Sequence, residues 1–126
     1  MDKGSNPPVH IESSPGSRPG VVILKVHGPL EITNYAEFET LMRRNESPIL
    51  LVDLTDVPYI DSAVLGSMVA MHVACARNQR KYALVHANQR IQTMLTVSGV
   101  GEIIISFPTI AQAEASLAKQ STGEKA

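Results

Sequence analysis

The run Ile49-Leu50-Leu51-Val52-Asp53-Leu54-Thr55, with the turn and helix start behind it, limits most narrowly what this chain can become. The apolar run reads as a buried strand. Asp56-Val57-Pro58 then forms a turn-like break, because proline cannot donate to a strand ladder. After Tyr59-Ile60, the pair Asp61-Ser62 opens a long, nearly uncharged helical segment to about Ala76. A strand that feeds acidic and hydroxyl groups into a helix N-terminus builds a small polar platform over unpaired backbone N–H groups. Such a platform suits recognition or a phosphate switch. It lacks the groups of an evident catalytic machine.

The rest of the chain alternates around this unit. Val9-His10-Ile11-Glu12 hints at a short edge strand, and Ser13 to Gly20 reads as a loop. Val21–His27 reads as a strand, stopped by Gly28-Pro29. Thr33-Asn34 starts a helix to about Arg44, with Tyr35, Phe38, Leu41 and Met42 as its apolar stripe. Lys81–His86 is a further strand. Asn88 caps a short helix bearing Ile91, Met94 and Leu95, which Gly99-Val100-Gly101 ends. Ile103–Ile105 reads as a short last strand, and Thr109 as the cap of a helix through Leu117, with polar residues from Gln120 onward expected to fray. This order predicts an α/β layer structure in which helices pack on a central sheet. The expected organisation is a mostly flexible 1–20 segment, a folded domain over 21–118 and a flexible 119–126 tail.

Composition narrows the function classes. The chain has 126 residues, 44% of them apolar, so one aliphatic core is expected, without help from metals or disulfides. Trp is absent. A formal charge of −1 with no basic block makes nucleic acid and anionic membrane surfaces poor partners. Cys75, the single cysteine, excludes an intrachain disulfide and reads as a small buried hydrophobe. The opening residues lack a basic region followed by an apolar run, and no apolar stretch reaches the roughly 18–20 residues that span a bilayer. The cytoplasm is the expected compartment, with no membrane insertion.

Asp61 and Ser62 are the leading candidate residues. If Ser62 starts the helix, its hydroxyl can accept from an early backbone N–H as a cap, while Asp61 fixes the approach from the strand. The alternative is a partner-contact or phosphate-accepting site, where phosphate would add strong acceptors at the positive end of a helix. Asp53 reads as a strand-end acceptor, either in that role alone or also as part of the platform. Paired Asp53 and Asp61 lack the aromatic cluster of a glycosidase and the further carboxylates of a metal shell. His10, His27, His72 and His86 form no short ligand motif, and Ser62 is not flanked by glycines as in a nucleophile elbow. Gly99-Val100-Gly101 lacks the pattern of a phosphate loop. The 62–76 helix is apolar on most faces: either it is thoroughly buried, or part of it docks a partner or a second copy, with Gly66 and Ala70 allowing close approach.

Together these segments resemble a STAS domain, the fold of bacterial anti-sigma factor antagonists. The resemblance covers about residues 20–118. It is carried by Gly28-Pro29-Leu30, Leu51-Val52-Asp53-Leu54-Thr55, Tyr59-Ile60-Asp61-Ser62, Leu65-Gly66, Asn78 to Lys81, Ser98-Gly99-Val100 and Phe107-Pro108. It implies a central mixed sheet flanked by four or five helices and a partner surface at the 61–66 junction. STAS antagonists commonly work by partner switching: the unphosphorylated domain binds a serine-kinase anti-sigma factor, and phosphorylation blocks that binding. Their usual junction is Asp-Ser-Ser-Gly or Asp-Ser-Ala-Gly, with phosphate on the second hydroxyl position when one is present. That position is Ala63 here, and Val64 replaces the glycine. The resemblance thus implies a non-catalytic regulatory binding module without the usual phosphate acceptor, with Ser62 and Thr55 as the remaining acceptors. The expected interface comprises Asp53, Thr55, Asp61, Ser62, Ala63, Val64 and Gly66. No cofactor is expected. The expected partner is an anti-sigma factor or related serine/threonine kinase, or further STAS domains in a homodimer or larger assembly. The alternatives are a subunit of a stressosome-like scaffold or an accessory of a lipid transporter, with a small enzyme as the weakest reading.

Overall fold

The strand at the centre of the sequence is also the centre of the sheet. The computed structural model describes residues 10–123, with side chains through Leu117. Val9 and the rest of the first nine residues lie outside that range, as do residues 124–126. In chain order the elements are β1 (His10–Pro15), β2 (Val21–His27), α1 (Tyr35–Arg44), β3 (Ile49–Asp56), α2 (Ser62–Arg77), β4 (Lys81–Val85), α3 (Gln89–Ser98), a 3-10 turn over Val100–Glu102, β5 (Ile105–Phe107) and α4 (Ile110–Gly123). The sheet order is β1-β2-β3-β4-β5. β1 runs antiparallel to β2, and the other neighbouring pairs are parallel. The expected mixed sheet is therefore present, and of the four or five helices expected the described residues form four α-helices.

Each crossover from β2 to β5 steps one strand in the same direction, and such crossovers share one hand. They put α1, α2 and α3 on the same face. Leu50, Val52 and Leu54 of β3 point to that face and join Phe38, Met42, Val64, Met68, Ile91 and Leu95 in the larger core. Ile49 and Leu51 point the other way, into a smaller cluster with Ala83, Val85, Ala113 and Leu117. α4 covers this second face by packing on β3, β4 and β5.

Several boundaries differ from the sequence reading. β1 continues through Ser13-Ser14-Pro15, which read as loop, because the edge of β2 supplies the partner for each residue. Proline is tolerated on such an edge strand. The last strand is Ile105–Phe107, since Ile103 and Ile104 belong to the turn that follows the 3-10 segment. α4 extends to Gly123, beyond Leu117. Asn34 does not cap α1 with its side chain. It accepts from Glu31 N–H and donates to the Pro29 carbonyl, closing the loop between β2 and α1.

α2 resolves the question of its many apolar residues. Val64, Leu65, Met68, Met71 and Cys75 form one buried stripe, whereas Ala63, Gly66, Ala70 and Val73 face outward. Cys75 is a buried free thiol, and burial pushes its pKa up. Among the described residues, no helix is long and apolar enough to cross a membrane.

Candidate functional site

The loop after β3 is stitched to the loop after β2, and this seam aims the first turn of α2. Leu30 N–H donates to the Tyr59 carbonyl at 3.2 Å, and Asp61 N–H donates to the Leu30 carbonyl at 3.0 Å. Leu30 and Ile60, both fully buried, form an isolated parallel bridge between them. Asp61 then sits with extended backbone as the N-cap of α2. Its Oδ1 accepts from Val64 N–H and its Oδ2 from Ile32 N–H, each at 3.0 Å. One carboxylate thereby satisfies an early helix donor and ties down the neighbouring loop.

This corrects the assignment of the cap to Ser62, which is the first helical residue and is exposed. Ala63 and Gly66 are exposed beside it. A Cβ added at Gly66 would meet nothing within 4 Å, so the surface there is open. Val64 is also corrected as an interface residue: it is fully buried, because the fourth position of the junction is the first inward position of α2. Its side chain fills the core beneath the junction.

Beside this turn a groove of about 540 Å³ runs between the Tyr59–Ser62 segment and α3, with Arg90, Met94 and Val97 on its far wall. The Arg90 guanidinium lies over the Tyr59 ring, 4.9 Å from its centroid. Tyr59 in turn donates its hydroxyl to Glu31, a bond that pushes its pKa up. Ile32 is 57% exposed and Val97 82% exposed, and both stand by the mouth of α2. The charged residues are thus paired while the apolar rim is bare.

Asp53 and Thr55 do not share this surface, which divides the platform expected from the sequence. Alternation along β3 sends them to the α4 face, opposite the side that carries α2. There Asp53 Oδ1 accepts from Thr55 N–H at 3.0 Å, from Thr55 Oγ1 at 2.6 Å and from His86 Nδ1 at 2.9 Å. Burial pushes the Asp53 carboxyl up, but the hydrogen bonds from Thr55 and His86 outweigh it and hold the pKa below its ordinary value. His86 reaches this cluster through a left-handed backbone, φ 62°, just past β4. Nothing in its local sequence marks that role; the parallel register of Asp53 with Val85 creates it. Thr55 Oγ1 lies 2.9 Å from the same ring nitrogen that meets Asp53. A nucleophile relay needs the hydroxyl and the carboxylate on opposite ring nitrogens, so these three residues are not a catalytic triad.

The sequence profile of the STAS domain matches residues 16–113. The chain is 32% identical over 98 residues to the TM1081 homologue of Thermotoga neapolitana, named as a candidate anti-sigma factor antagonist; the match spans 74% of this chain and 86% of that protein. The crystal structure of the candidate anti-sigma factor antagonist TM1081 from Thermotoga maritima superposes with a TM-score of 0.75 at 23% identity, covering 84% of this chain and 92% of the other. An anti-sigma factor antagonist from Mycobacterium paratuberculosis has a TM-score of 0.72 at 17% identity, covering 85% and 93%.

Proposed function

This chain belongs to the STAS domain family, and from that membership we propose that it is a regulatory protein-binding module of the anti-sigma factor antagonist type, with no phosphate switch at position 63. One observation carries the reading. The Asp61-capped first turn of α2 presents Ser62, Ala63 and Gly66 together at the edge of an apolar groove. A small, open helix start beside bare Ile32 and Val97 offers backbone approach and apolar contact to another protein. The expected partner is an anti-sigma factor or related serine/threonine kinase. The role is regulatory, not catalytic.

Ala63 carries a methyl group where a phosphate acceptor would stand. Of the two other hydroxyls, Ser62 is exposed at the positive end of α2, free of the capping role. Thr55 spends its hydroxyl on Asp53, and phosphate there would face that carboxylate. Ser62 is therefore the better secondary acceptor, and without its use the module is constitutively competent or controlled through an associated protein.

The test pairs two measurements on the full chain with the ATP-binding anti-sigma factor of its own organism. Calorimetric titration should show binding that Ala63→Glu or Gly66→Arg weakens at least about tenfold, a loss of roughly 1.4 kcal/mol, with the melting temperature unchanged. Intact-mass analysis after incubation with ATP should show no added phosphate at residues 62–63 and leave binding intact. Wild-type affinity in both variants would overturn the placement of the surface, and stoichiometric phosphorylation at Ser62 that abolishes binding would overturn the unswitched reading.

A further inference from the structure

The open part of the second sheet face, over β1 and β2, holds a group of side chains unrelated to the α2 surface. We propose that His10, Glu12 and His27 form a binding site for a divalent transition-metal ion of the zinc class. The register places His10 directly opposite His27 across the antiparallel pair, and their ring centroids are 5.2 Å apart. Glu12 follows two residues after His10, on the same face of the strand. Its carboxylate reaches both rings: Oε2 lies 3.7 Å from His10 Nε2, and Oε1 lies 3.5 Å from His27 Nε2. One donor atom from each of the three residues falls within 4.8 Å of the other two. Metal–ligand bonds of about 2.0–2.2 Å in a tetrahedral site put neighbouring donors roughly 3.3–3.5 Å apart. The two carboxylate contacts, made by different oxygens, exceed that spacing by at most a few tenths of an ångström, and the three donors, which lie within 4.8 Å of one another, close by at most about 1.5 Å as the exposed His10 and Glu12 turn onto the ion.

A second observation comes from His27 itself. Its Nε2 is buried and has no hydrogen-bond partner. Its Nδ1 is 2.9 Å from Asp56 Oδ2. A carboxylate on one ring nitrogen favours the proton there and leaves a lone pair on the other, which in His27 faces Glu12, the usual support of a metal-binding imidazole. The fold has a device for that support. Between the pairs Lys25–Asp53 and His27–Asp56, β3 spends one residue more than β2, and this bulge brings Asp56 beside His27. Lys25 Nζ stands 3.9 Å from the same Asp56 oxygen. With Glu12 and Asp56 negative and Lys25 positive, the surroundings keep a net negative charge toward a dication.

Two imidazoles and one carboxylate suit Zn²⁺, Co²⁺, Ni²⁺ or Cu²⁺, whereas Mg²⁺ and Ca²⁺ require oxygen donors. His10 and Glu12 are largely exposed, so a fourth position stays open to water. The bound ion would fasten the edge strand β1 to β2.

The test titrates the untagged full chain with zinc chloride by calorimetry, and with cobalt chloride by visible absorption. The expected result is one zinc per chain, the absorption bands of a tetrahedral cobalt site and no saturable binding of magnesium. Asp56→Asn should weaken zinc about 10–100-fold, and the double variant His10→Ala/Glu12→Gln should lose saturable binding. Those two side chains are exposed, so their replacement leaves the core intact. His72→Ala should bind as the unaltered chain does. Absence of saturable zinc binding, or retention of it in the double variant, would overturn the proposal.

Discussion

Gly16 shows how much one absent side chain can decide. A Cβ there would clash with Cγ1 and Cβ of Val21 and with the carboxylate of Glu114, which is almost fully buried and accepts from both Ser17 N–H and the Ser17 hydroxyl. Val21 is buried in the cluster beneath α4, so it has no room to yield. Gly16→Ala should lower stability by about 1–3 kcal/mol, read as a fall in the urea midpoint with unchanged slope. A midpoint like that of the native chain would show that the 16–17 turn moves freely. Asp53 makes a different prediction. Its carboxyl titrates in the folded state below its unfolded value, so the stabilisation is complete above about pH 4 and disappears as the pH falls through the folded value. Asp53→Asn removes that pH-dependent stabilisation. The stability gap between the native chain and Asp53→Asn should narrow on acidification below about pH 4, and a constant or widening gap in urea titrations would contradict the Thr55 and His86 bonding.

Elements were legible where their signal is local. β2, β3 and β4 announce themselves as apolar runs, and α3 carries both ends in its sequence: Asn88 Oδ1 accepts from Ile91 N–H, and Gly99 takes the left-handed conformation, φ 83°. β1 was half visible, because Ser13-Ser14-Pro15 are strand only by virtue of Leu24, Ile23 and Val22 opposite them. The start of α2 was legible in place but not in detail, since Asp61 and Ser62 are both good caps in sequence and only the folded contacts of Asp61, Oδ1 with Val64 N–H and Oδ2 with Ile32 N–H, distinguish them. That difference is measurable. Asp61→Ala should cost about 0.5–2 kcal/mol, Asp61→Asn should restore most of it, and Ser62→Ala should stay within about 0.5 kcal/mol of the native chain. Equal losses for the two alanine variants would return the cap to Ser62.

At the scale of the molecule, the sheet separates what the sequence places side by side. Asp53 and Asp61 are eight positions apart, yet strand alternation commits one to the α4 face and the chain reversal after Pro58 commits the other to the α2 face. The same topology gathers residues from distant segments around the mouth of α2: Ile32 from the loop after β2, Ser62 and Ala63 from α2, Val97 from α3. No local pattern could reveal this rim, because Ile32 and Val97 read as ordinary apolar residues until the faces of their elements are known. Their exposure without pairing makes them the sharpest probes of the proposed docking surface. Ile32→Asp and Val97→Asp together should weaken partner binding at least about tenfold, with folding stability shifted by no more than about 1 kcal/mol. Val73, 43% exposed but farther along α2 and away from the groove, supplies the comparison. Val73→Asp should leave affinity unchanged if the mouth of α2 is the contact. Loss of binding in Val73→Asp with retention in the double variant would move the partner onto the long outer face of α2, where Ala70, Val73 and Ala74 are exposed.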